Sequence, residues 1–278
     1  MLRCPMSPDQ DSRAWYNHGN TLYGLGRYEG AIARYDRVLE QQPDDFEAWS
    51  YRGYALSNLG RYPDAIASFD QAIGLQPDFV LAWHGKGIAQ AQSHQYEGAI
   101  VSFAKALELE PEDPKAWYNH GNALGRLRRH AEAILSFDRS LYFKPDYYRA
   151  WYHRGTALAE LTFYEEAIGS FDTALMIKAD CYYAWNYRGI ALAKLKRYNE
   201  AIASFDQSLV AKSHNPGAWY SMARCYVAQQ NCNQALKCLH KAIEQSPNVY
   251  RTMAKLDACF KPIRQVSDFQ ILVLGRNN

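Results

Sequence analysis

Residues 14–20 read AWYNHGN, and residues 116–122 read AWYNHGN again. The two copies begin 102 positions apart, and the interval has a divisor that the whole chain obeys. All seven tryptophans, Trp15, Trp49, Trp83, Trp117, Trp151, Trp185 and Trp219, are spaced by 34 residues, and 102 is three such steps. A constant period of that length marks an array of structural repeats, each burying surface only against its neighbours. The 278 residues are therefore expected to form one array.

One period shows what the unit is. After Trp15 come Gly19, Tyr28, Ala31, Tyr35 and Pro43, with small and large apolar residues returning every three or four positions. That spacing predicts two amphipathic helices and no strand. Leu25-Gly26-Arg27 is a turn signal between them, and Pro43-Asp44 ends the second helix. The small position is kept as Gly53, Gly87, Gly121, Gly155 and Gly189, then becomes Ala223. The aromatic position is Phe69, Phe103, Phe137, Phe171 and Phe205, then Leu239. The proline persists at Pro77, Pro111, Pro145 and Pro247 but is replaced by Ala179 and Ser213.

These anchors resemble the tetratricopeptide repeat (TPR), with units at 12–45, 46–79, 80–113, 114–147, 148–181, 182–215 and 216–249. The resemblance implies an all-α fold, a right-handed alpha-solenoid of seven stacked helical hairpins. A flexible lead (1–11) is expected before it and C-terminal capping helices (250–278) after it. In the cap, Met253, Leu256 and Phe260 have the spacing to cover the last unit, and Phe269, Leu272 and Val273 to form a final helix; docking of a partner is the alternative role. The 34-residue period and the Trp and Gly anchors separate the chain from pentatricopeptide RNA readers.

Charge and composition narrow the function classes. With 31 basic and 29 acidic side chains the net charge is +2, so no strong field draws the chain to nucleic acid or an anionic membrane. The opening lacks a signal-like apolar stretch and no apolar run is long enough to span a bilayer, which predicts a cytoplasmic protein without membrane insertion. The six cysteines are not spaced as a zinc site or disulfide framework. No nucleophile elbow, P-loop or HExxH motif occurs, so no catalytic residue, metal or cofactor is expected.

A charge pattern runs through the repeats. Three residues after each Trp stand His18, Arg52, Lys86, His120, Arg154, Arg188 and Met222; twenty-one after it stand Asp36, Asp70, Ala104, Asp138, Asp172, Asp206 and His240. The expectation is that base and acid pair between packed helices, with the arginine stems covering apolar surface.

Binding, by the resemblance, belongs to the concave groove lined by the first helix of each hairpin. The groove positions carry Tyr16, Asn17, Asn20, Tyr23, Tyr51, Tyr54, His84, Tyr118, Asn119, Asn122, Tyr152, His153, Tyr183, Asn186, Tyr187 and Tyr220. Tyrosine offers broad contact with a polar tip, and asparagine can pair with an extended backbone. The expected function is a non-catalytic scaffold or assembly chaperone for a protein or peptide segment, a membrane-complex partner included. The alternative is a sensor module that binds a signalling peptide or small ligand. The carboxylate clamp of TPR cochaperones for heat-shock chaperone tails is disfavoured, because among its positions in the first three units only Asn20 fits.

Overall fold

The computed structural model describes residues 8–275, in which every regular element is a helix. The chain divides into two compact units, residues 1–144 and 145–278. The first contains α1 (Pro8–Gly24), α2 (Tyr28–Gln41), α3 (Phe46–Asn58), α4 (Tyr62–Leu75), α5 (Val80–Gln92), α6 (Tyr96–Leu109), α7 (Pro114–Arg126) and α8 (His130–Phe143). The second contains α9 (Tyr148–Glu160), α10 (Tyr164–Ile177), α11 (Tyr182–Lys194), α12 (Tyr198–Ala211), α13 (Pro216–Ala228), α14 (Cys232–Gln245) and α15 (Pro247–Leu256). A 3-10 turn (Ala258–Ile263) and α16 (Ser267–Leu274) complete it. Residues 8–11, expected in the lead, begin α1; residues 1–7 and 276–278 lie outside the described residues.

In each unit consecutive helices pair as antiparallel hairpins, and hairpins stack in sequence order. Close approach inside a hairpin depends on the small residue of the first helix. At Gly53 an added Cβ would sit 2.8 Å from Phe69 Cε1, inside van der Waals contact, so the buried ring occupies the space a side chain would need. In the seventh hairpin Ala223 accompanies Leu239, and both are fully buried. The larger small residue is matched by a smaller partner.

The turn inside each hairpin puts one residue in the left-handed region. Gly26 and Gly60 take it in the first two hairpins, but His94, Arg128, Thr162, Lys196 and Gln230 occupy the same place later, with φ near +60°. Between hairpins the tryptophan indole holds the chain, its Nε1 donating to the carbonyl six residues earlier. The acceptors are Pro43, Pro77, Pro111, Pro145 and Ala179, at 2.8–2.9 Å. Because the acceptor is a backbone oxygen, Ala179 replaces proline without loss of the bond.

The base and acid positions do pair, but between consecutive hairpins. Arg52 Nε lies 2.6 Å from Asp36, Lys86 Nζ 2.7 Å from Asp70, and Arg188 Nε 2.6 Å from Asp172. Each cation also lies over its own hairpin's tryptophan, and Arg52 and Arg188 donate from Nη1 to a serine on their own second helix, Ser68 and Ser204. This register accounts for Ala104: its partner position is His120, which bonds Ser136 instead at 3.0 Å. Asp206 faces the position of Met222 and has no cation partner among the described residues, and burial raises its pKa.

The C-terminal segment covers the seventh hairpin differently from the expectation. Ala254, Phe260, Ile263, Phe269 and Val273 are buried, whereas Met253 and Leu256 are 44% and 80% exposed. The reason is that α15 ends at Leu256 and the chain turns back, so the apolar cover comes from Ala254, the 3-10 turn and α16.

Candidate functional site

The first helices of successive hairpins touch one another, α1 to α3, α3 to α5 and α5 to α7 in the first unit, α9 to α11 and α11 to α13 in the second. Direct contact places them on the narrower side of each stack, where the expected binding residues lie.

In the first unit these residues form a chain of aromatic and polar contacts. Tyr16 packs edge-on against Tyr51, with ring centroids 5.9 Å apart, and its hydroxyl donates to Glu47 at 3.1 Å. Tyr51 stacks on Tyr35 at 6.2 Å. Tyr54 meets Phe69 edge-on and donates to the Leu81 carbonyl at 2.8 Å, while the Tyr23 hydroxyl accepts from Asn58 at 3.1 Å. Burial is the leading cause holding the Tyr16 and Tyr54 hydroxyls protonated well above the ordinary tyrosine range. A cleft of about 450 Å³ brings Tyr16 and Asn17 together with Arg13, Asp45 and Glu47.

The repeated heptapeptide does not build two equivalent sites. Asn20 accepts at Oδ1 from the Tyr35 hydroxyl at 2.7 Å, so its carbonyl is already engaged. At the second copy the aromatic is Phe137, which has no hydroxyl, and Asn122 has no hydrogen-bond partner among the described residues. Asn17 is exposed, whereas Asn119 is half-buried and donates to His84 Nε2 at 3.1 Å. Burial lowers the His84 pKa, which keeps Nε2 free to accept. Tyr118 packs against Phe137 at 6.1 Å.

In the second unit Tyr152 is the centre. Its ring lies 6.2 Å from Tyr183, 5.7 Å from Tyr187, 6.2 Å from Phe171 and 4.8 Å from His153. Tyr183 and Tyr187 are 51% and 37% exposed, and this is the most open aromatic surface among the expected residues. Asn186 is half-buried, and its Oδ1 is buried with no partner.

Tyr220 departs from the expectation. It is 4% exposed, covered by the segment after α15. Its hydroxyl donates to Asp257 at 2.8 Å, and its ring lies 5.2 Å from Tyr250 and 5.5 Å from Phe260. Arg224 Nε completes the cluster 3.2 Å from Asp257. Burial works against the Asp257 charge, but the Cys259 N–H, the Tyr220 hydroxyl and Arg224 outweigh it and lower its pKa. No single residue of the tail announced this contact, because Asp257 acquires its role only where the chain reverses after α15.

Other reactive chemistry is sparse. Cys181, Cys225 and Cys238 are buried and unpaired, and burial pushes the Cys225 and Cys238 thiols up to about 11. No group of three His, Cys, Asp or Glu among the described residues is placed to hold a metal ion. No described helix is long and apolar enough to cross a membrane.

Stacked helical hairpins with an aromatic and amide-rich first-helix face define a class of repeat proteins built for interaction. The chain belongs to the tetratricopeptide repeat family. Family models described as tetratricopeptide repeats match residues 16–83, 152–216, 192–256 and 114–147, and one described as a TPR repeat matches 91–127. No curated protein sequence matches the chain. Among solved structures it is similar to a tetratricopeptide repeat protein from Parabacteroides merdae, at 15% identity and TM-score 0.66, over 89% of this chain and 98% of that one. It is similar to YrrB, described as a TPR protein with an unusual peptide-binding site, at 21% identity and TM-score 0.59, over 66% and 95% of the two chains. A segment of MamA from Desulfovibrio magneticus RS-1 matches at 21% identity and TM-score 0.58, over 62% and 97%.

Proposed function

We propose that the chain is a non-catalytic scaffold that holds a segment of a protein partner along the first-helix face, with Tyr152, Tyr183, Tyr187 and Asn186 as the main contact surface of the second unit. The carrying observation is internal. On α13 the same face already holds an irregular segment of the chain, with Asp257 on the Tyr220 hydroxyl and Phe260 against its ring. One hairpin earlier the corresponding surface on α9 and α11 is open and aromatic, with the Tyr183 and Tyr187 rings exposed. A peptide-binding site in YrrB, a protein of the same fold, agrees with this reading by analogy.

The test is selection of a random dodecapeptide display library on the intact protein and on a Tyr152→Ala/Tyr187→Ala variant shown by circular dichroism to be folded. Peptides enriched on the parent should lose at least tenfold in affinity on the variant. Equal binding to both proteins removes the first-helix face from the proposal.

A further inference from the structure

The seventh hairpin presents a second surface, away from the first-helix face. A cleft of about 820 Å³ opens beside α14, with apolar walls from Trp219, Leu236, Ile271 and Leu272. Its origin is a shortfall in length. The second helices α10, α12 and α14 each have 14 residues, whereas α16, which packs on α14 and α15, has 8. The cover over α14 therefore stops short and leaves apolar surface in an open trough.

The rim of this trough has a charge that the other hairpins lack. Eighteen residues after the tryptophan, where the earlier hairpins carry Ala33, Ala67, Val101, Leu135, Gly169 and Ala203, the seventh carries Lys237. Three residues later, where five of them carry aspartate, it carries His240. Lys241 and Arg251 complete the basic rim against one lining carboxylate, Asp268. Lys241 is tied to Glu244 at 3.0 Å, but Lys237 and Arg251 have no carboxylate partner among the described residues.

We infer that this cleft is a second docking site, for an acidic peptide segment carrying a large apolar side chain. The apolar side chain would enter between Leu236 and Ile271, and its flanking carboxylates would meet Lys237 and Arg251. A volume of this size lies in the range of pockets that take a drug-sized ligand, which is room for two large side chains together with the backbone that carries them. Cations flanking an apolar floor favour an anionic partner both in encounter and in register.

The probe is a blocked hexapeptide, acetyl-Glu-Asp-Phe-Leu-Glu-Asp-amide, titrated calorimetrically into the full chain. Two controls accompany it, one with the four acids changed to lysine and one with Phe and Leu changed to alanine. The acidic apolar peptide should bind at least tenfold tighter than either control, and raising the salt from 50 to 500 mM should weaken it. A Lys237→Glu/Arg251→Glu variant should lose that binding, with Tyr152→Ala/Tyr187→Ala leaving it unchanged. Both positions are exposed, so the charge reversal is compatible with folding, which circular dichroism checks. Absence of binding at 1 mM peptide, equal binding of the lysine control, or loss only in the tyrosine variant would each overturn the assignment. The last outcome would place the peptide on the first-helix face instead.

Discussion

Arg52 Nε lies 2.6 Å from Asp36 Oδ1, joining the first helix of one hairpin to the second helix of the hairpin before it. The same guanidinium donates to Ser68 and lies over Trp49, so one side chain touches three elements. An Arg52→Met change, the residue type found at the equivalent Met222, should cost about 1–2 kcal/mol, because Asp36 and Ser68 both lose a partly buried charged donor. Asp36→Asn should cost less, about 0.5 kcal/mol, since that carboxylate is half-exposed and still partly solvated. Urea denaturation of the parent and both variants measures the order, and equal effects would contradict the bridging role.

Gly53 and Phe69 form a second testable pair. A Cβ at residue 53 would lie 2.8 Å from the ring, so Gly53→Ala should destabilise by about 1–3 kcal/mol through overpacking. Adding Phe69→Leu should recover much of that loss, because the combination is the one the seventh hairpin uses at Ala223 and Leu239. A double variant no more stable than Gly53→Ala alone would show that the ring is not the obstacle.

Thr162 has a φ of 66°, a conformation that a β-branched side chain resists. Thr162→Gly should therefore raise stability by about 1 kcal/mol, as the same turn position is already glycine at Gly26 and Gly60. Thermal melting checks the direction, and a lowered midpoint would mean that the threonine side chain contributes more than its backbone strain removes.

The Tyr220, Arg224 and Asp257 cluster makes the cap sensitive to acid. The folded Asp257 pKa lies below its unfolded value, so the unfolded chain takes up the proton first. The stability this group contributes is present above about pH 4 and is lost as the pH falls through the lowered folded value. Hydrogen exchange over 247–274 should show weaker protection in Asp257→Asn than in the parent at pH 6, with the difference vanishing in strong acid. A difference that persists unchanged into strong acid would contradict the electrostatic account.

Much of the hairpin architecture could be read from spacing. The tryptophan period located the helix pairs, and the Gly–aromatic pattern named the residues that pack inside each one, because those are local relations repeated every 34 positions. The Tyr, Asn and His candidates of the first-helix face were legible only through the resemblance to the repeat family. Their individual states were not: Asn20 is occupied by Tyr35 while Asn122 is not, although the two heptapeptides are identical, because the difference comes from a residue fifteen positions further on.

The sequence by itself determined that this chain is an array of helical hairpins, since a fixed period with a 3.6-residue apolar rhythm admits little else. Tertiary structure alone decided that Arg52, Lys86 and Arg188 meet the aspartate of the preceding hairpin, that the tail buries Tyr220, and that α14 keeps an uncovered basic cleft. Each of these depends on which surfaces stacking and chain reversal bring within a few ångströms, and the linear order of residues carries no measure of that distance.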